Sequence, residues 1–409
     1  MTSITSVLAA FGIILIDLAG RAGLDKVLAI SGGPAIVALW AQLQSVVELV
    51  STVALAGVLQ GLTVLITRVQ DTYDQRSLLR AALKLGLGTS LAVALGVMLA
   101  AGHFRGEIKP DLLLLAVSAG VIAVIPATLN AYWLGKHQQQ RMLGLALVSS
   151  AILLLVAAGA WSGLSLRGLV CVQFLALAII GSAVWLYLRK LWRTGERHVV
   201  EAHYLRKLVN FVPVGLAIGI MSPVSMLLMR GILSGSLSWS DVGYLQALWR
   251  STEWVTATAA GVLSLVLLPR FSATYGGVSF KQEMTRAGMV VLIPAAGLLL
   301  MIYLNQRVIL ATLYDARFVV SDLTAGLFML GSWIRIASWL FLFGLFAAHR
   351  TRLIVAGEVL SLPLYALLLW MFADGLTLER TALLYLISYL AYLAVSAASL
   401  LYTSHGKIP

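Results

Sequence analysis

Charge is scarce in this chain, with Asp, Glu, Lys and Arg together making up only 11% of its residues, against the roughly 25% usual in soluble domains. Cysteine is scarcer still. Cys171 stands alone within an apolar run, which excludes a disulfide framework, a CxxC redox pair and a thiolate metal site, and leaves core packing as its expected role. Chemistry-bearing motifs are also missing: there is no HExxH, no GxSxG context and no phosphate-binding Gly-Lys-Ser/Thr loop. The six histidines, His103, His137, His198, His203, His349 and His405, fall in connectors or tails. Nothing therefore points to an enzyme, a metal or a cofactor. A transported load would have to be driven by a gradient, a partner or its own concentration difference.

What the chain has instead is apolar length. Hydrophobic residues make up 60% of the 409, and apolar runs of about 20 residues recur from end to end. At 1.5 Å rise per residue each run can cross a hydrocarbon core of roughly 30 Å. Segments such as Leu112 to Pro126 and Leu145 to Ala160 are apolar on every side, so the period-2 alternation of a membrane β-barrel is absent and helices are expected. The expected spans are 4–30, 36–66, 79–101, 112–135, 142–162, 167–188, 208–234, 241–269, 285–304, 322–347, 353–374 and 380–402. The first lacks a basic region ahead of it and runs on past Asp17 and Arg21, which reads as a span and not as a cleavable signal.

The formal charge of +12 could suggest nucleic acid, but the basic residues follow the connectors instead of forming one patch. One alternate set of connectors carries Arg68, Arg76 and Arg80; Lys136 and Arg141; Arg189, Lys190, Arg193, Arg197, Arg206 and Lys207; Arg270, Lys281 and Arg286; and Arg350 and Arg352. Positive connectors resist translocation, so this set is expected on the cytoplasmic side with both termini. The other set has few basic residues, mainly Arg105, Lys109, Arg167, Arg307, Arg317 and Arg380. Segment 305–320 is too short and too charged to span, and reads either as an amphipathic helix on the periplasmic face or as an ordered loop.

The longest basic connector divides the chain near its middle. It gives an expected N-terminal six-helix lobe at 1–190, a basic cytoplasmic linker at 191–207 and a C-terminal six-helix lobe at 208–409. A shift of 204 positions places Lys26 on Arg230, Trp40 on Tyr244, Gln42 on Gln246, Thr52 on Thr256 and Ala56-Gly57-Val58-Leu59 on Ala260-Gly261-Val262-Leu263. Two parallel repeats of six helices around a central cavity, opening alternately to either side, follow as the expected architecture.

Charges inside spans mark candidate sites, because an unpaired charge at mid-bilayer costs from ~3 to over 10 kcal/mol. Asp17, Arg21 and Asp25 stack at i, i+4 and i+8 with Lys26 beside them. Glu48 lies deep in the second span, Arg230 in the seventh, Arg250 and Glu253 share a face of the eighth, Arg335 falls mid-way along the tenth, and Glu358 is about one turn into the eleventh. The pairs Asp17 with Arg21 and Arg250 with Glu253 could simply neutralise one another. Trp40, Trp239, Tyr132, Trp133 and Tyr187 read first as interfacial belt residues. Guanidinium groups bind phosphate oxygens in pairs and stay charged, so Arg21, Lys26, Arg230, Arg250 and Arg335 point to an anionic load, with the aromatic residues near Arg250 offering faces for sugars. Asp17, Glu48, Glu253 and Glu358 are the candidates for coupling a proton or cation.

The stretches GGPAIVALWAQLQSVVELV at 32–50, GVLQGLTVLITR at 57–68, MLLMRGILSGSLSWSDVGYLQALWRSTEWV at 226–255, LSLVLLPRFS at 263–272 and AGEVLSL at 356–362 resemble Wzx-type flippases of the multidrug/oligosaccharidyl-lipid/polysaccharide exporter superfamily. The likeness is strongest to the branch that moves the lipid-linked unit of enterobacterial common antigen, and it covers nearly the whole chain. It implies a multi-pass protein of the bacterial inner membrane, acting as a monomer on an undecaprenyl-diphosphate-linked oligosaccharide among membrane lipids. A polysaccharide polymerase and a chain-length regulator are the partners it implies, with no nucleic acid. Arg230 matches that family's seventh-span arginine and Glu358 its eleventh-span glutamate; Arg335 stands where relatives have lysine, and Arg250 where that branch is uncharged. A multidrug/cation antiporter of the same superfamily, a major-facilitator carrier and a non-transporting scaffold are the competing readings. The 68–80 connector, RVQDTYDQRSLLR, lacks the pattern expected of the second of these.

Overall fold

A computed structural model describes residues 4–69, 71–99, 109–136, 138–192, 198–210, 212, 221–277, 279–348 and 350–405, and among these the chain is α-helical with no strand. It divides into two compact units, Met1–Leu227 and Leu228–Pro409.

The first unit begins with α1, Ile4–Ala54, whose 51 residues would reach about 77 Å if straight, enough for two passes. They are two passes because the helix kinks at Gly33, held at φ 71°, immediately before Pro34. That positive φ suits glycine, and proline removes the helical N–H that would bridge the bend. After Ala54 the helix stops, Gly57 adopts the left-handed conformation at φ 74°, and α2 (Val58–Arg68) resumes. The hydroxyl of Thr89 donates to the Ala54 carbonyl at 2.7 Å, so the break's freed acceptor is satisfied from a neighbouring helix. α3 (Thr72–Leu99), α4 (Pro110–Gly135), α5 (Gln139–Trp161) and α6 (Leu166–Trp192) supply the remaining passes. Close approach of α4 to α1 requires Gly120, where a Cβ would lie 2.7 Å from that of Val50.

The basic connector is itself a helix, α7 (His198–Val209), folded against α2 and α3. It buries Glu201, Tyr204 and Leu208 on one face and leaves His203, Arg206 and Lys207 outside. Lys84 meets Glu201 at 2.6 Å, and Tyr204 donates to Asp74 at 3.1 Å.

The passes that follow are α8 (Met221–Ser236), whose first turns up to Leu227 belong to the first unit and whose remainder opens the second, then α9 (Trp239–Val262), α11 (Ser279–Leu304), α13 (Asp322–Ala347), the half-helices α14 (Thr351–Val359) and α15 (Leu362–Met371), and α16 (Leu378–His405). α9 runs on through a π-helical turn, Leu263–Leu267, into α10 (Leu268–Thr274). Nine helices among the described residues are long and apolar enough to cross a membrane. One of them is the double pass of α1, and α8 and α9 fall outside that count as too short or too polar. Each unit thus carries six passes, the architecture expected from the sequence. The 204-residue repeat extends to backbone irregularity: Ala56–Leu59 straddles the α1/α2 break, and Ala260–Leu263 leads into the π turn.

Two further elements differ from the expected spans. Segment 305–320 is half of each reading, with a short helix α12 (Gln306–Leu313) followed by a loop in which Arg317 holds Asp315 at 2.7 Å. That guanidinium keeps the Asp315 carboxyl below its ordinary range. The eleventh pass is interrupted at Leu360 and Ser361, because Pro363 sits in the first turn of α15 and offers no N–H to Val359, four residues back.

The α7 contact supplies a pH test. Burial, and then the hydrogen bond to Asp74, push the Tyr204 phenol from 10.0 up to about 12. A group whose folded pKa is raised stabilises fully below its ordinary value and loses that contribution as pH climbs through the folded one. Tyr204→Phe should therefore lower stability by about 0.5–1.5 kcal/mol at neutral pH. The gap from wild type, followed by thermal unfolding, should stay constant to about pH 10 and close towards pH 12.

Candidate functional site

The second unit gathers most of its polar chemistry along α9. Ser238 starts the helix with a capping box: its hydroxyl accepts from the Asp241 amide at 3.1 Å, while Asp241 accepts from the Ser238 amide at 3.2 Å. Such a cap stabilises by about 1 kcal/mol and fixes the helix's phase. Counted from it, Gln246, Arg250 and Glu253 fall at i, i+4 and i+7 on one face. Arg230, buried on α8, donates to Gln246 Oε1 at 2.8 Å. Arg250 donates to Glu253 Oε2 at 2.6 Å, with both side chains partly open, 21% and 30% exposed.

Trp249 turns the other way and meets Arg335. Ser321 caps α13 by accepting from the Thr324 amide, and four turns on the Arg335 guanidinium lies over three rings: Trp339 at 4.7 Å, Trp249 at 5.4 Å and Tyr389 at 5.7 Å. Its Nε has no hydrogen-bond partner among the described residues. Ring faces stabilise a cation by roughly 0.5–2 kcal/mol each yet carry no net charge, so Arg335 is compensated without being neutralised. Glu253 and Glu358 lie within electrostatic reach of it, neither as an ion pair.

Below the guanidinium, aromatic rings form a column. Tyr385 stacks on Phe328 at 4.5 Å and 7° and meets Trp249, Tyr365 and Tyr389 edge-on; Tyr389 in turn meets Tyr392. Tyr392 ends the column by donating to Glu358 Oε1 at 2.9 Å.

In the first unit the structure brings Arg21 and Glu48 together across the α1 kink, Nη1 to Oε1 at 3.8 Å. Their side chains are 37% and 54% exposed, although Glu48 lies about 20 Å along the helix from Gly33. Gln44 and Gln173 exchange amide hydrogen bonds at 2.8 and 3.1 Å nearby. Asp25 is buried and Lys26 half-buried. The Asp17 side chain lies outside the described residues, as do His103, Arg105, His137, Arg193, Arg197 and His349.

Sequence reasoning named the charged members and pointed to the aromatic residues near Arg250, of which Trp249 is one, but passed over Trp339, Tyr385, Tyr389 and Tyr392. The signal was present. Trp339 follows Arg335 by four residues, and the three tyrosines recur at i, i+4 and i+7 on one face of α16. Among the described residues no group of three or more His, Cys, Asp or Glu is placed to hold a metal.

No family model matches the chain. It is 23% identical over 395 residues to the lipid III flippase of Escherichia coli (strain K12), a stretch covering 90% of this chain and 91% of that protein, and matches the lipid III flippase of Shigella flexneri to the same degree. Among solved structures, a multidrug resistance MATE family transporter of the MOP superfamily in its inward-facing conformation superposes with a TM-score of 0.72 at 10% identity, covering 100% of this chain and 97% of the other. An outward-facing conformation of such a transporter gives 0.60 at 11% identity, over 98% and 96%. A MOP superfamily transporter from Pyrococcus furiosus, described as having a binding pocket of reverse polarity, gives 0.58 at 11%, over 97% and 92%. The chain therefore has the fold of these transporters.

The column also yields a packing test. A Cβ on Gly331 would lie 2.5 Å from the Tyr385 ring, a rigid and fully buried neighbour. Gly331→Ala should force that ring from its stack on Phe328 and cost about 1–3 kcal/mol, read as a lowered melting temperature of the purified protein. Gly297→Ala, with open space around it, should leave stability nearly unchanged.

Proposed function

We propose that the protein is a flippase that carries an undecaprenyl-diphosphate-linked oligosaccharide from the cytoplasmic to the periplasmic leaflet of the bacterial inner membrane by alternating access, coupled to a proton or cation. The observation that carries this reading is the state of Arg335, a permanent cation inside a membrane-crossing helix, held by rings and left one net charge short. A diphosphate supplies that charge. Arg250 would join by exchanging Glu253 for a phosphate oxygen, and Arg230 and Gln246 present a donor-rich pair one turn away.

In the first unit, Arg21, Lys26 and the exposed Glu48 require a watery surface, and the Gln44–Gln173 amides there suit the hydroxyls of a glycan. Asp17, Glu48, Glu253 and Glu358 are the coupling candidates, and the basic connectors favour a cytoplasmic location for both termini. The lipid III flippase relatives make a lipid-linked glycan, of the kind used in enterobacterial common antigen or O-antigen assembly, the favoured load. The multidrug transporters sharing the fold raise a second reading, antiport of amphiphilic cations, which a guanidinium-centred site disfavours.

In liposomes holding the purified protein, a labelled undecaprenyl-diphosphate glycan should cross leaflets. Arg335→Ala should abolish the movement while the protein remains folded, and Arg250→Ala should slow it by about 10- to 100-fold, the value of a charged hydrogen bond. Arg335→Lys, which keeps charge but loses the planar stack, should fall between. Normal movement by Arg335→Ala would overturn the assignment, and transport of amphiphilic cations in its place would establish the second reading.

A further inference from the structure

The outward face of α3 changes character along its length. Lys84, Gly88, Leu91, Leu95 and Leu99 are all exposed and recur at i, i+4, i+7, i+11 and i+15, one stripe of the helix. Gly88 leaves open space in that stripe, since a Cβ there would meet nothing within 4 Å. Followed the other way, the stripe passes from Lys84 to Arg80 and Arg76, both half-buried, at further steps of four. α3 has 28 residues, about 42 Å, whereas a hydrocarbon core of roughly 30 Å needs only about 20. Counted back from Leu99, that core ends near Arg80, so Lys84 lies about one turn inside it and Arg76 about one turn outside. Here α7 packs beside α3 and brings in Glu201, which meets Lys84 at 2.6 Å. The Lys84 side chain is nonetheless 59% exposed, and α7 adds the exposed Arg206 and Lys207. Together α3 and α7 carry five Lys and Arg against two carboxylates, and both carboxylates are engaged, Glu201 by Lys84 and Asp74 by the Tyr204 hydroxyl. Asp71, just ahead of α3, leaves the positive surplus in place.

We propose that this face of α3 and α7 is a docking site for an anionic phospholipid of the cytoplasmic leaflet. Its headgroup phosphate lies among Arg76, Arg80, Lys84, Arg206 and Lys207, and an acyl chain runs along Gly88, Leu91, Leu95 and Leu99. A cation exposed one turn inside hydrocarbon extends its stem towards the headgroups, where lipid phosphates are the anions at hand. The apolar stripe continuing directly from Lys84 favours a lipid over a soluble anion or an acidic protein, neither of which has a chain to lay there. The surplus of positive charge selects among lipids, because a zwitterionic headgroup brings its own cation and an anionic one does not. The inner face of α7, with Tyr204 and Leu208, is packed against α2 and α3, so protein holds the helix and its charged side is what the bilayer meets. The face also lies on the side that the basic connectors favour as cytoplasmic.

This site concerns a lipid of the surrounding bilayer, stands apart from the load carried, and is tested without any glycan. The full-length protein in a nonionic detergent is titrated with phosphatidylglycerol and, in parallel, with phosphatidylcholine of the same acyl chains. Melting temperature and the lipid retained in native mass spectrometry are the readouts. Phosphatidylglycerol should bind saturably and raise the melting temperature, and phosphatidylcholine at equal concentration should do neither. Arg206→Gln combined with Lys207→Gln, two exposed side chains outside the packed face of α7, should weaken phosphatidylglycerol binding by about 30-fold, a factor of about five for each cation. Arg167→Gln, an exposed cation at the start of α6, should leave it unchanged. Added salt should weaken binding by screening the headgroup. Inorganic phosphate and glycerol phosphate should fail to displace the lipid, because neither has a chain for the apolar stripe. An equal response to the two lipids, phosphatidylglycerol binding undiminished in the double variant, or displacement by inorganic phosphate would each overturn the proposal.

Discussion

A charge carried into hydrocarbon needs a partner or water, and the arrangement of this protein follows from how each charge meets that demand. Arg250 takes a carboxylate one turn away, Arg230 a neutral amide, Arg21 a carboxylate on the next pass, Glu358 a phenol, and Arg335 three ring faces. These partners are not equivalent. A carboxylate cancels the charge and must be displaced before an external anion can bind, while an amide or a ring leaves the charge in place and only lowers the expense of keeping it there. Among these, Arg335 is the cation met by ring faces, and it contacts α9 through Trp249, while Arg230 reaches the same helix through Gln246. α9 also carries Glu253, so a carboxylate lies within two turns of both Gln246 and Trp249, the residues through which the two arginines reach that helix.

The backbone carries the same logic. Besides the kink at Gly33, three breaks among the described residues, at Gly57, at Leu263–Leu267 and at Leu360–Ser361, each lie within about three turns of a charged candidate: Glu48, Glu253 and Glu358. π turns and interrupted helices free backbone groups that then need partners, which is tolerated at membrane depth only where protein or water supplies them. At the first break Thr89 does so. At the third no residue four ahead can, because of Pro363.

How much of this the amino-acid sequence carried depends on the length scale of each signal. Passes were legible because a run of 20 apolar residues is a coarse feature, and the two-unit organisation was legible because Arg230/Gln246 and Lys26/Gln42 repeat at one spacing. The charged site members were legible because any charge in such a run stands out. The ring column was not, although Tyr385, Tyr389 and Tyr392 share a face. An aromatic among apolar neighbours looks like packing until a cation is placed over it, and Arg335 and Tyr389 are 54 positions apart in the chain. The α14/α15 break was in plain view as Ser361-Leu362-Pro363, but a proline in an apolar run is compatible with a continuous, kinked pass as well as with two half-helices.

The repeat then shows where the two units diverge. Gln246 Oε1 accepts from Arg230, whereas Gln42 Oε1, at the matching position of the first unit, is buried with no hydrogen-bond partner among the described residues, and Gln42 Nε2 donates to the Leu227 carbonyl at 3.5 Å. Lys26 stands where the second unit has arginine. A lysine is a flexible point charge that gives up its proton when desolvated; an arginine keeps its charge and presents a flat, paired set of donors. The second unit has the arginines Arg230, Arg250 and Arg335, and the first has Arg21 facing the most exposed carboxylate of the set, Glu48. The two units therefore differ in polar chemistry among the described residues, the second gathering arginines against an amide and rings and the first amides and a solvent-exposed carboxylate.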